Sequence, residues 1–380
     1  MSLLETLQGF MGRFTSSGGT SSRASSRGGV IGVDIGSSSI KIVELKKERG
    51  AIALSTYGEL ALGPRIGKSA GATVPLDPDQ IASALIELMR EAHIESRSAV
   101  ITIQSSASLL FTMQLPVSAE SSLADIIPNE ARKYIPVPMS DVTLNWSVIP
   151  VHVTDSFTPH DGQEIARESI TILVAAIRND ALGGYKNMSA QAEIKPLHYE
   201  MEIFSGLRAT LHNELSPIAV IDCGASQTRV AIVQYGTVMK YHSINKGGSF
   251  LTESIVRSLS IAFDRAEEIK RSEGLLVQKV QHPEAQKILQ SQIDTLLAEI
   301  KMSIFEFEKE YHTALDSVYL IGGGAMLPGF SEYVATALGI SVKIGHPFDK
   351  VQNPDFLDPV LDHVGPSFAI ACGAALYALE

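Results

Sequence analysis

Asp34, Gly36, Ser37, Ser38, Ser39 and Lys41 stand in an order that suits the handling of phosphate. A glycine just past a strand lets the backbone turn and approach a ligand closely. Small residues after it leave successive N–H groups free to cradle phosphate oxygens. An aspartate at the strand end can hold Mg²⁺ through the ion's water shell, because Mg²⁺ keeps several waters and recruits carboxylates beside phosphates. Lys41 adds a point charge for the same oxygens. The unit occurs twice: Asp222, Gly224, Ala225, Ser226, Gln227 and Arg229 repeat the order Asp-x-Gly-small-Ser-x-x-basic. One Asp-x-Gly turn between strands is ordinarily a plain hairpin. Two copies, each opening a matched set of strands, point to two similar lobes facing one cleft.

Two further groups suit that cleft. Gly322, Gly323 and Gly324 follow an apolar run, with Met326 beyond, and allow close backbone approach to a flat base or ribose; the plain alternative is a strand-to-helix turn. Glu267 and Lys270 lie three apart on a helical pattern and so share a face, where a solvated ion pair is the ordinary reading. A dinucleotide fingerprint is the weaker reading, since its glycines link a strand to a helix and these turns lead back into strands.

The elements that must position these residues follow from periodicity. Apolar alternation predicts strands over 30–35, 40–45 and 51–57, and a second meander over 218–222, 228–233 and 238–242. Residues 78–94 read as a helix opened by Asp77 and Pro78, and 248–313 as helical throughout. A strand over 318–321 meets the glycine run, and a last helix covers 366–379. Shorter strands and helices over about 97–186 read as an inserted subdomain. The resulting division is an N-terminal amphipathic segment and linker over 1–29, a first lobe over 30–216 with the insert, a second lobe over 217–365 with a helical subdomain about 245–315, and a C-terminal helix over 366–380 that returns to the first lobe.

Bulk properties set limits on this reading. The 380 residues carry a formal net charge of −11, from 31 basic and 42 acidic side chains, which argues against non-specific grip on nucleic acid or on an acidic membrane. Cys223 and Cys372 are the two cysteines, without metal-ligand spacing, and read as small buried residues of a reducing compartment. No run reaches the roughly 18 uninterrupted apolar residues of a membrane span. No secretory leader is visible, so a cytoplasmic location is expected. Residues 1–14 set Leu3, Leu4, Leu7, Phe10, Met11 and Phe14 at helical spacing with Arg13 as the single basic side chain, fewer cations than interfacial helices usually carry.

Together these residues resemble the actin-like ATPase superfamily, an α/β fold of two lobes built from duplicated ribonuclease-H-like units. The Asp34 and Asp222 turns resemble its two phosphate loops, the Gly322 run its adenosine loop, and Ala266–Lys270 the helix whose Glu and Lys reach the nucleoside. The resemblance implies that Glu202 positions attacking water, with Asp34 and Asp222 supporting weak turnover at most; read plainly, Glu202 is an acid at a helix start. Glu130-Ala-Arg-Lys-Tyr134-Ile135-Pro136-Val-Pro138 is similar to a segment of the PilM family of type IV pilus proteins, and the likeness runs from about residue 30 to 380. Asn145, Cys223 and Glu200 depart from that family's usual residues, the last from an Asp near the Mg²⁺ shell.

That resemblance implies ATP and Mg²⁺ as ligands and a place at the inner face of the inner membrane. It implies as partner the cytoplasmic tail of a PilN-like inner-membrane protein, and contact with pilus motor ATPases. Leu110, Phe111, Tyr134, Ile135 and Pro136 are candidate residues of a peptide groove, with the core of the insert as the plain alternative for each. Competing readings are an FtsA-like polymerising protein and a small-molecule kinase; the apolar, Pro-rich insert offers no polar substrate pocket for the latter.

Overall fold

The computed structural model describes residues 28–75, 77–116, 122–149, 169–212 and 214–380. The expectations for residues 1–27 lie outside the described residues. Two five-stranded sheets share one topology. In the first, β1 (Val30–Ile35), β2 (Ser39–Glu48) and β3 (Ala51–Ala61) form an antiparallel meander, and β4 (Ser98–Ile103) and β8 (Lys195–Met201) extend it in parallel on the far side of β1, giving the order β3-β2-β1-β4-β8. In the second, β9 (Ile218–Cys223), β10 (Thr228–Gln234) and β11 (Thr237–Ile244) make the meander, and β12 (Ser317–Ile321) and β13 (Ser341–Ile344) the parallel extension, in the order β11-β10-β9-β12-β13. The duplicated turns therefore sit at equivalent places in equivalent sheets.

Every residue of β1 and β9 is buried, as expected of central strands covered on both faces. Alternation along β1 divides the first lobe's core. Ile31, Val33 and Ile35 face α1 (Pro78–Glu91), while Val30 packs with the C-terminal helix. Asp77 caps α1, accepting from Gln80 N at 2.8 Å while the Gln80 side chain accepts from Asp77 N, with Pro78 at the first helical position.

The insert is a sheet of order β5-β7-β6, from β5 (Ser108–Pro116), β6 (Val142–Val148) and β7 (Ser169–Arg178), with α2 (Leu123–Ala131) packed on one face. It starts later than the texture of the sequence predicts, because β4 pairs with β1 and β8 and belongs to the first sheet. Leu110, Leu173 and Ala175, on the opposite face from α2, join the second lobe's core. Beyond the insert, α3 (Asn179–Gln191) packs with α1, and Met188 completes the core of Ile31 and Leu85.

The region 248–313 is helical as expected, in three helices: α5 (Gly248–Leu259), α6 (Phe263–Glu273) and α7 (Pro283–Tyr311), the longest. Ser260 and Gly274, at φ +54° and +52°, and then Pro283 make the breaks. Between the lobes, α4 (Glu202–Thr210) crosses α9 (Asp358–Tyr377), after α8 (Phe330–Leu338) has closed the second lobe. Glycines set the closeness of both contacts of α9. A Cβ on Gly373 would lie 1.8 Å from Ser205 O of α4, and one on Gly32 would lie 1.9 Å from Ala371 O, so the helix does lie on the first sheet. It starts earlier than expected and accommodates Pro366 internally. The stretch Asp355–Tyr377 is long and apolar enough to cross a membrane, but 67% of its apolar window is buried against α4 and the sheets.

Candidate functional site

A cleft of about 410 Å³ lies between the lobes. It is lined by Asp34, Gly36, Ser37, Ser38, Ser39 and Lys41 from the first turn, and by Asp222, Gly224, Ala225 and Ser226 from the second. Glu202, Glu267, Lys270, Gly322, Gly323, Gly324 and Met326 complete the set that the sequence singles out. Gln227 is not part of the lining: its side chain turns outward and donates to Asn245 Oδ1 at 2.8 Å, while its carbonyl closes the turn by accepting from Gly224 N at 3.0 Å. The first turn closes in the same way, Gly36 N donating to Ser39 O at 2.9 Å. Among the described residues, the N–H groups of Ser37, Ser38, Ala225 and Ser226 have no acceptor. Both turns thus present free donors to the cleft, the requirement for cradling an anion.

Several lining residues escape a reading of the turns alone. The start of α5 rests on the second turn, with Gly248 N donating to Gly224 O and Ser249 N to Ala225 O, both at 2.9 Å. A Cβ on Gly247 would lie 2.6 Å from Ala225 O, so Gly247-Gly248-Ser249 was the available signal. Ser249 Oγ is buried beside the cleft with no partner among the described residues. At the glycine run, Gly322 has φ +82°, a Cβ there would meet Asp222 Oδ1 at 2.5 Å, and its N–H donates to Pro366 O at 2.7 Å. Gly323 has nothing within 4 Å of a built Cβ.

On α6, Lys270 Nζ reaches Glu267 at 2.7 Å, Thr252 Oγ1 at 2.8 Å and Gly248 O at 2.9 Å, and Arg271 Nε donates to Glu267 Oε1 at 2.6 Å. Burial opposes ionisation of Glu267, but Lys270, Thr252 and Arg271 outweigh it and hold the carboxyl below its ordinary value. Burial lowers Lys270, against the pull of Glu267. This pair is a buried network rather than the solvated couple that spacing alone implies.

The carboxylates at the cleft floor are crowded. Asp34 is 5% exposed, and its Oδ1 has no partner among the described residues. Burial, reinforced by Asp222, lifts its pKa to about 6 against the pull of Lys41. Glu202, at the first position of α4, accepts from Ser105 N at 3.2 Å and Ser105 Oγ at 3.1 Å. Burial, with Asp34 and Asp222 adding, lifts Glu202 to about 7, while Arg229 opposes the rise. Arg229 bridges Glu202 Oε2 at 2.8 Å and Asp222 Oδ2 at 2.5 Å, although the sequence presents it only as the basic end of a motif. Glu200 stands away from the cleft: it is fully buried against Arg208 at 2.7 and 2.9 Å, so it has no part in any metal shell here.

In the insert, Phe111 and Tyr134 stack with ring centroids 4.8 Å apart, and Tyr134 is 51% exposed, with Pro136 also at the surface. Ile135 and Leu110 are buried, in the insert core and the second lobe's core respectively, so neither offers a surface to a peptide.

Two sheets of one topology, a matched turn from each and a shared cleft define an actin-like protein. Over residues 32–379 the chain matches the family described as type IV pilus assembly protein PilM, and it belongs to that family. Among solved structures it is similar to a PilM–PilN type IV pilus biogenesis complex, with 25% identity, a TM-score of 0.75, and coverage of 92% of this chain and 98% of that one. MreB5 of Spiroplasma citri bound to AMPPNP shares the fold at a TM-score of 0.52 and 12% identity, covering 93% of this chain and 96% of that one. Cell division protein FtsA of Streptococcus pneumoniae serotype 2 is 24% identical over 86% of this chain and 77% of its own length.

Proposed function

We propose that this protein binds ATP with Mg²⁺ between its lobes and acts as a nucleotide-dependent scaffold of a type IV pilus machine. In this reading it holds the cytoplasmic N-terminal tail of a PilN-like inner-membrane protein at the inner face of that membrane. The observation that carries the nucleotide part is the pair of matched turns presenting unengaged N–H groups to one cleft, beside a buried Asp34 oxygen without a partner. The residues fit the ligand: Ser37, Ser38, Ala225 and Ser226 would donate to phosphate oxygens, and Gly322–Gly324 would lie along the nucleoside with Met326 and Glu267. Mg²⁺ bound there would neutralise phosphate charge, with Asp34 as the carboxylate free to hold it through water.

A ligand held by both turns favours the arrangement in which they face each other, and so favours whatever partner surface that arrangement presents. Turnover is expected to be weak, since Glu202 is engaged by Ser105 and Arg229 instead of standing free to orient water. The partner part rests on family membership and on the likeness to a PilM–PilN complex, with exposed Tyr134, stacked on the half-buried Phe111, as the peptide-facing anchor. Binding calorimetry on the full chain tests both. ATP–Mg²⁺ binding should be lost in Asp34→Ala and Asp222→Ala, and a peptide copied from the neighbouring PilN-like tail should bind wild type but bind Tyr134→Ala at least about tenfold more weakly. Wild type that binds neither ligand would remove the functional reading while leaving the fold intact.

A further inference from the structure

The two turns share a topology but not a charge pairing. Asp34 faces Lys41 across the β1–β2 ladder, as Asp222 faces Arg229 across β9–β10. In the first lobe the basic side chain turns aside: Lys41 Nζ sits 3.2 Å from Glu59 and donates to Ser39 Oγ at 2.9 Å, and Asp34 Oδ1 is left bare. In the second lobe the guanidinium turns inward and spans Asp222 and Glu202. Arg229 is 8% exposed and runs along the second turn, where a Cβ on Gly224 would lie 3.6 Å from its Nη1. Its Nε is buried without a partner among the described residues, so one N–H of the fork remains uncommitted. Tyr241 O–H donates to Ser105 Oγ at 3.1 Å, and Ser105 in turn donates to Glu202 Oε2, the oxygen that Arg229 also contacts.

We propose that Arg229 is a cation supplied by the protein to the nucleotide site, occupying at Asp222 and Glu202 the place a divalent ion would take in a symmetric cleft. The inference rests on the nucleotide reading above and deepens it: the metal is confined to the Asp34 side, and phosphate binding depends less on it than it otherwise would. A guanidinium suits this role because it keeps its charge when buried and presents a fixed fork to two carboxylates. Three carboxylates share the cleft floor, and Arg229 is the cation seated among them. An incoming triphosphate adds negative charge to the same space, and the protein offsets part of it before any metal arrives. Arg229 is in this sense a positioning and charge-setting residue. It acts on phosphate through the field it sets and through the carboxylates it holds.

The test is the ratio of ATP dissociation constants in EDTA and in excess Mg²⁺, measured by calorimetry on the full chain. In Arg229→Gln the ratio should rise at least about tenfold over wild type, since a neighbouring unit charge at the dielectric of a partly buried site is worth that much or more. Arg229→Lys, which keeps the charge but not the fork, should fall between wild type and Arg229→Gln. Arg229→Gln/Glu202→Gln, which loses one charge of each sign, should return toward wild type. If Arg229→Gln fails to fold, Glu202→Gln alone carries the test, because removing one negative charge while keeping Arg229 must lower the ratio. Equal weakening in both buffers for Arg229→Gln, or an unchanged ratio in Glu202→Gln, would overturn the inference while leaving nucleotide binding intact. Wild type that binds ATP in neither buffer would overturn the nucleotide reading and this inference with it.

Discussion

Asp34→Asn should make the ligand-free protein more stable while removing its Mg²⁺-dependent grip on ATP. Asp34 is buried at the end of β1 with Oδ1 unpartnered, and burial lifts its pKa from an ordinary 3.8 to about 6. The folded state therefore holds a proton that the unfolded chain has already released between these values. Stability falls as pH rises from about 4 to about 6, and the loss is complete above that window. The rise corresponds to at most ~3 kcal/mol, at ~1.4 kcal/mol per pH unit. Because the carboxylate lines a cleft that water enters, the recoverable part is expected at about 1–2 kcal/mol.

An asparagine removes the charge with little change of shape, so it should recover that energy above pH 6. At pH 5 the gain should be about half its value at pH 7.5, since the wild-type cost is then only partly developed. Urea unfolding in EDTA at the two pH values, followed by far-UV circular dichroism, measures it. Fluorescence of Trp146, the single tryptophan, would report on the insert instead. The same variant should lose ATP–Mg²⁺ affinity, a trade of function against stability. A destabilised Asp34→Asn, or a gain that does not change with pH, would refute the account of Asp34 as a strained carboxylate held ready for a cation.

Other outcomes follow from the same geometry. His198 is buried beneath Tyr377, ring centroids 4.4 Å apart, and burial pushes its pKa down to about 4. Its folded state refuses a proton that the unfolded chain accepts, so it contributes full stability above about pH 6.5, lost as pH falls toward 4. His198→Phe should therefore flatten the acid limb of a urea-melt series by ~2–3 kcal/mol. Arg208→Met strands Glu200 in the interlobe crossing and should cost ~3–5 kcal/mol in denaturant melts, whereas Glu200→Leu/Arg208→Met should recover much of it. Gly322→Ala forces a Cβ to 2.5 Å from Asp222 Oδ1 at φ +82° and should lower both thermal stability, by ~1–3 kcal/mol, and ATP affinity. Gly323→Ala, with open space around it, is the matched control.

What was legible in the sequence was what is local. The Asp-x-Gly turns, the meanders that carry them and the glycine run each lie within a short stretch, and their chemistry follows from residue type and order. Duplication made the two-lobed fold readable, because a second copy of one turn implies a second copy of its sheet. Pairings formed across long sequence separations were not legible. Glu202 looked like a free acid at a helix start, but its partners Ser105 and Arg229 come from a loop and a strand that only the fold brings together. Glu200 looked like a variant metal-shell residue and is instead committed to Arg208 by a contact made within the interlobe crossing. Ile135 shares a motif with Tyr134 and Leu110 adjoins Phe111, yet the helix on the insert and strand alternation turn Ile135 and Leu110 inward. The breaks within 248–313 fall at Ser260 and Gly274, where the backbone takes a positive φ that residue type alone does not announce at a serine.

The position of α4 joins these observations into one mechanical argument. Its first residue, Glu202, stands on the cleft floor, and Arg208, near its end, is locked to Glu200 and to Gly373 O of α9 at 2.8 Å. The helix is nine residues long and every one of them is buried. A helix so short and so enclosed moves as a unit or not at all. At the other side of the cleft, Gly322 N is tied to Pro366 O of the same α9. Any ligand that draws Arg229 from Glu202, or presses on the Gly322 turn, therefore acts on the two helices that cross between the lobes. The charge pairing at the cleft floor is thus joined, through α4 and α9, to the crossing between the lobes, which is the physical path the proposed nucleotide switch would use.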